Sequence, residues 1–311
     1  MATDKELNEA LKSIGRLEEG ESAKIVDLED TIKFNCKQCG KCCSGRSDII
    51  LNPFDVYQIA KALNITTQDV INNYCEIIIG NNSCLPVIVL KEDNRRLCPF
   101  LKFFATEGKF KCSINNYKPG ACIMHPIGVI RSYSKEKDEE ITQYIEVPSC
   151  STHGTDFEIK VKDFIKPYLD KAEQHKTGST LVFEVKKYID TIKFIKCFSD
   201  KDEEELNKLP EEISNIIRSF DSKITNVIIN FYVNMLVASA YDFDINKDFL
   251  EQVEEVKQRI KDTSVKFIGV TNILGVDIST DNITEDDKKV MEDVIKGFDS
   301  FMDDFNNSKG E

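Results

Sequence analysis

Residues 36–43 read CKQCGKCC, placing Cys36, Cys39, Cys42 and Cys43 within eight positions. Two-residue gaps let consecutive sulfurs point into one space from a tight loop, a spacing common to ferredoxin-type clusters and zinc knuckles. Gly40 and Gly45 supply the backbone angles such a loop needs. Cys42 and Cys43 are adjacent, and neighbouring side chains reach one metal only with strain. Two centres, or one centre plus a redox or hydrogen-bonded thiol, are therefore expected rather than a lone site. Further ligands are expected from distant cysteines in turn-like or polar settings. They are Cys98 in LCPFL, Cys112 in KFKCSI, Cys122 in YKPGACIMHP and Cys150 in VPSCSTHG. Cys98 and Cys112 are predicted to face each other across a hairpin. Eight sulfurs suffice for two four-sulfur sites. Cys75 and Cys197 read as small core hydrophobes, and Cys84 stays open between ligand and bystander.

Working outward, ten of the 11 cysteines lie at or before Cys150 in a chain of 311 residues. The opening 25 residues hold acids throughout and no apolar core of the kind an export signal carries. A reducing, cytoplasmic setting is expected, and there dense cysteines mean metal more often than disulfides. The formal charge is −13, which argues against a nucleic-acid surface, since phosphate binding needs a basic face. The longest apolar run, ITNVIINFYVNMLVASA over 224–240, is shorter than the ~20 residues of a bilayer span. It reads as a buried core helix, although Asn226, Asn230 and Asn234 would share one face and could line a pocket.

The chain divides into an acidic helical lead-in over 1–32, a cysteine-cluster metal-binding domain over 33–155 and an acidic helical domain over 156–311. In the lead-in, Leu7, Leu11, Ile14 and Leu17 fall at helical spacing. Asn52-Pro53 opens a helix through Leu63, and Thr66 with Asp69 starts a second toward Tyr74. Short strands are predicted at 87–90, 96–100 and 110–114. From Asp156 onward six amphipathic segments, 157–176 through 285–306, predict helices. The fold class is α+β: a small cysteine-rich, metal-organised module of short helices and strands, followed by a mainly α-helical domain.

The ordered series CKQCGKCCSG, Cys98-Pro99-Phe100-Leu101, Cys112-Ser113-Ile114 before Tyr117-Lys118-Pro119, Cys122 with His125-Pro126, and Cys150 resembles the CxxCxxCC family. Its members, also called YkgJ-type, are described as zinc- or iron-chelating and include flagellin lysine-N-methylase. The likeness covers about residues 34–154. It implies an iron–sulfur cluster or zinc on the cysteines and, in the methylase branch, S-adenosylmethionine as methyl donor to flagellin lysines. The chain departs from the family at Lys118-Pro119-Gly120-Ala121, where Arg-Pro and Cys-Arg pairs are usual.

Thiolates suit iron–sulfur clusters and zinc alike. Only three histidines (His125, His153, His175) accompany the cysteines, and the triplet followed by a remote Cys-Pro resembles ferredoxin ligation. Both features lean toward one or two clusters, 4Fe-4S in type. No GxGxxG, P-loop, HExxH or GxSxG occurs, and the CxxxCxxC of radical S-adenosylmethionine enzymes is broken by Arg46. The leading expectation is a cluster-dependent enzyme modifying a protein or peptide, such as a lysine N-methylase. The alternatives are a non-catalytic zinc-structured interaction module and an electron-transfer protein. Asp48, Asp55, Arg95, Arg96 and Tyr117 lie near the sulfurs in sequence, yet none stands out by spacing as catalytic.

Overall fold

In the computed structural model the described residues are 3–13, 17, 19–46, 48–79, 85–134, 139–148, 157–187, 233–273, 284–293 and 296. They bear out an α+β architecture of short antiparallel sheets and helices. The lead-in forms helix α1 (Asp4–Ser13) and then, contrary to the helical expectation, two strands, β1 (Lys24–Val26) and β2 (Thr31–Lys33). Both strands pair with chain more than a hundred residues away. β1 joins β9 (Glu139–Glu146), which pairs along its length with β8 (Ile127–Ser134), and β2 joins β10 (Glu158–Lys160). Each gains partners that no local pattern could announce, because both sit among charged residues and span three positions.

The central unit is the sheet β3 (Ile50–Leu51), β5 (Pro86–Leu90) and β4 (Cys75–Ile79), in the order β3-β5-β4. Helices α2 (Pro53–Leu63) and α3 (Thr67–Tyr74) lie against it. Each starts on a reciprocal capping box, Asn52 with Asp55 and Thr66 with Asp69, which satisfies two orphan amides apiece. Pro53 occupies the first turn of α2, where a missing N–H costs nothing. Asn64 closes it at φ 53°.

The expected strand at 96–100 is a turn. Asp93 Oδ1 accepts from the Leu97 and Arg95 amides, and that bonding curls the chain before Cys98. The hairpin begins later, pairing β6 (Leu101–Phe104) with β7 (Lys109–Cys112) in a register that sets Leu101, not Cys98, opposite Cys112. α4 (Gly120–Met124) follows.

The expected helix over 157–176 opens instead as strand β10 and continues as α5 (Val161–Phe164), α6 (Lys166–Leu169) and α7 (Ala172–Leu181). Further helices run over 233–241 and Val253–Ile273, while the expected helix at 203–220 and most of those at 181–198 and 223–240 lie outside the described residues. Asn234 is exposed on the outer face of the 233–241 helix, while Val233, Leu236, Val237 and Ala240 are buried. Asn226, Asn230, Cys84, Cys150, His153 and Cys197 lie outside the described residues. One apolar core joins Leu51, Ile59 and Ile88 of the front half to Leu181, Leu236, Phe249 and Ile260. Buried polar ties reinforce it: Tyr57 Oη donates to Lys247 O at 2.7 Å and Tyr241 Oη to Leu51 O at 3.2 Å. Among the described residues no helix is long and apolar enough to cross a membrane.

α7 crosses the start of α2 at Gly178, where a Cβ would stand 2.8 Å from Asn52 Oδ1 and 3.0 Å from the Phe54 amide nitrogen. Gly→Ala inside a helix ordinarily stabilises by about 0.5–1 kcal/mol. Here the clash with backbone outweighs that gain, so Gly178→Ala is expected to cost about 1–3 kcal/mol. A thermal melt of the variant checks the sign; an unchanged or raised midpoint would mean the helices do not meet this closely.

Candidate metal centre

The CKQCGKCC loop is set by its glycines and by the chain it rests on. Gly40 sits at φ 78°, and a Cβ there would reach 3.1 Å from the Phe110 ring and 3.3 Å from Leu101. A side chain would be strained twice over, once by conformation and once by the hairpin beneath. After Gly40 a single 3-10 turn, Lys41–Cys43, carries the paired cysteines. The loop is stitched to the 93–98 turn and the hairpin: Cys98 N donates to Cys43 O at 2.8 Å, Gly45 N to Arg96 O at 2.9 Å and Phe110 N to Gln38 O at 2.9 Å.

These bonds gather Cys42, Cys43, Cys98, Cys112 and Cys122, all half-buried free thiols, into one neighbourhood. Cys42 Sγ and Cys43 Sγ are 3.9 Å apart. The Cys43 thiol hydrogen-bonds Cys42 and pulls it down to about 6, with Arg46 and Lys118 adding a smaller pull. The same bond, with burial and the nearby Cys42, Cys98 and Cys122 thiols, pushes Cys43 far up. Burial first, and neighbouring thiolates second, raises Cys122 to about 12. Cys98 is raised by burial and by Cys112 and Cys42, and Cys112 by burial alone. Mutual repulsion among converging thiolates is what a bound cation relieves. The donor set therefore fits a thiophilic metal, although among the described residues no three candidate ligands close on a single point.

Cys36 is exposed and Cys39 half-buried. Cys75 is buried in β4, as expected of a core thiol, and burial raises it to about 12. His125 packs edge-on to Phe34, ring centres 6.3 Å apart.

Residues 35–149 resemble the CxxCxxCC family. Over that span the chain matches the family model described as "Putative zinc- or iron-chelating domain". No curated protein and no solved structure matches it.

Beside the thiols lies a polar device that sequence spacing did not single out as functional. Asp55 does more than cap α2: its Oδ2 accepts from Asn52 N at 3.1 Å and its Oδ1 from Gly120 N at 2.9 Å. The second bond fixes the Pro119-Gly120 turn that presents Cys122. His175 of α7 lies against the same carboxylate, Nδ1 to Oδ1 3.5 Å, stacked on Tyr168 with ring centres 4.5 Å apart. Asp55 and His175 line a cavity of about 890 Å³ that runs past Arg46, Asp48 and Met124 to Ile145 of β9. The Asn52-x-x-Asp55 spacing was a readable sign of the cap. Nothing in the sequence pointed to His175, 120 residues away.

Burial pushes the Asp55 carboxyl up to about 6, against an unfolded value near 3.9. Folded chains thus hold a proton that unfolded chains release, and stability falls as pH rises from about 4 to about 6, by about 2–3 kcal/mol in all. Asp55→Asn is expected to flatten that part of the stability–pH curve, measured by urea melts across the window. An unaltered slope would remove Asp55 as its source.

Proposed function

We propose that the CxxCxxCC-like region of this chain carries an iron–sulfur cluster, one or two in number and 4Fe-4S in type. In this reading the protein uses it to modify a protein or peptide in the cytoplasm. The reaction we favour is S-adenosylmethionine-dependent lysine N-methylation, with a flagellin-like substrate. The observation that carries the reading is the gathering of five half-buried thiols from four separate stretches of chain. All five are free thiols.

Cys43, Cys98, Cys112 and Cys122 would hold the group, with Cys42 as a fifth donor. Arg46 and Lys118 offset the negative charge of an all-thiolate site. When bound, a cluster of this kind supplies one-electron transfer or a Lewis-acidic iron. The adjoining cavity is the room available to a substrate, walled by Ile127, Val129 and Ile145 and floored by Asp55 and His175.

The test is an absorption spectrum with iron, zinc and acid-labile sulfide counts on anaerobically purified protein, followed by incubation with labelled S-adenosylmethionine and flagellin. Iron with equimolar sulfide and label on lysine support the reading in full. Iron without transfer removes the methylase and leaves a cluster protein. Colourless, redox-silent protein holding zinc replaces the reading with a structural module whose coordination positions are all filled by protein.

A further inference from the structure

Charge is unevenly placed on this molecule. Residues 33–48 and 91–118 carry eleven basic and four acidic side chains, a surplus of +7 in a chain of −13. The hydrogen bonds from Cys98 to Cys43 and from Phe110 to Gln38 bring the two segments together.

The β6–β7 hairpin carries three of those basic side chains, Lys102, Lys109 and Lys111, against one acid, Glu107. Side chains alternate along each strand, so the pairs Leu101–Cys112 and Phe103–Phe110 share the face on which the Gly40 loop lies. Lys102, Phe104, Lys109 and Lys111 share the opposite face, with Lys102 directly across from Lys111 and Lys109 across from Phe104. Like charges directly opposite destabilise an antiparallel pair. Lys111 finds Glu107 at 2.6 Å, and its ammonium stands 5.1 Å from the centre of the Phe104 ring. Lys102 and Lys109 make no ion pair among the described residues. Phe104 is 41% exposed and its neighbour Phe103 57%. The fold thus sets an exposed ring on one hairpin face with three lysines, of which Lys111 alone has an ion pair among the described residues.

We propose that this face binds single-stranded nucleic acid, with a base stacked on Phe104 and phosphates taken by Lys102, Lys109 and Lys111. Such surfaces combine an aromatic platform with a basic track along the backbone. An acidic peptide would answer the lysines and leave the ring unused. A duplex would leave it unused as well, because its bases are already stacked. The exclusion drawn from net charge applies to the whole molecule. Within the ~8 Å over which charges act in physiological salt, the hairpin is positive. The inference stands independently of which metal the thiols hold, and of whether they hold one.

The test uses the full chain as purified and a fluorescein-labelled oligothymidylate, with anisotropy read over a salt series. Three phosphate contacts predict a log–log salt slope of about −2 for a single strand. Lys102→Gln, Lys109→Gln and Lys111→Gln together should flatten the slope toward zero. Phe104→Ala should keep the slope and weaken binding by about tenfold, and Phe104→Tyr should restore it. All four side chains are at the surface, and equal circular dichroism and metal content establish that the variants fold. The proposal is overturned by no binding at low salt or by a triple variant that binds as tightly with the same slope. It is equally overturned if a polyglutamate peptide or the matching duplex competes as well as the single strand.

Discussion

Cys98→Ser is expected to reduce bound metal to below about a tenth of the wild-type content and to lower the denaturation midpoint sharply. A serine hydroxyl is nearly the shape of the thiol but a poor ligand for a soft metal. The backbone bond from residue 98 to Cys43 O at 2.8 Å survives the change, so the loss reads out ligation rather than local unfolding. Metal bound by thiolates contributes about 10–16 kcal/mol of apparent free energy in small zinc modules, and that binding energy is folding energy. Metal analysis and thermal melts of the two proteins measure both effects. Cys75→Ser is the control: its thiol is buried in β4 among apolar side chains. It should lose about 1–3 kcal/mol for burying a hydroxyl yet keep its metal. If Cys98→Ser retained full metal, Cys98 would not be a ligand; if the wild-type protein itself held none, the thiols would be core cysteines and the functional reading would fall.

Phe249→Ala is the second large effect, about 3–5 kcal/mol of stability. The ring is 1% exposed. Its centre lies 4.9 Å from Phe54, 4.6 Å from Phe243 and 5.5 Å from Tyr57. Truncation removes apolar burial and three aromatic contacts at once, each worth about 0.5–1.5 kcal/mol beyond area. It also strikes where the back of the chain meets α2. A midpoint lower by about 10 °C is expected from the usual scaling with chain length. The truncation Phe183→Ala, at a half-exposed ring, should move it by less than about 2 °C. Equal effects at the two positions would show that the aromatic cluster does not join the halves.

Elements governed by local rules were readable from the sequence. Both capping boxes, the proline that opens α2, β5 and the buried Cys75 follow from residues a few positions apart. The turn-like Glu92-Asp93-Asn94 was readable, but residues 96–100 look like a strand because Leu97, Cys98 and Phe100 are apolar. The carboxylate of Asp93 decided otherwise, by bonding two amides that a strand would have offered to a neighbour. The β8–β9 hairpin went unseen, as did the pairing of the lead-in with it, since neither IGVIRSYS nor EEITQYIE alternates cleanly between apolar and polar residues.

The sequence alone determined that the front of this chain concentrates its thiols, with four cysteines in eight positions and ten of 11 at or before Cys150. It determined too that the chain is an α+β protein, since helix caps and short apolar runs are written over a few residues each. Only the tertiary structure decided which thiols meet, that Asp55 and His175 share a cavity wall beside Cys122, and that three lysines and one ring share a hairpin face. Those relations join residues separated by tens of positions or fixed by a hairpin's register. They arise from hydrogen bonds and packing that bring distant chain together, and linear spacing carries no record of either.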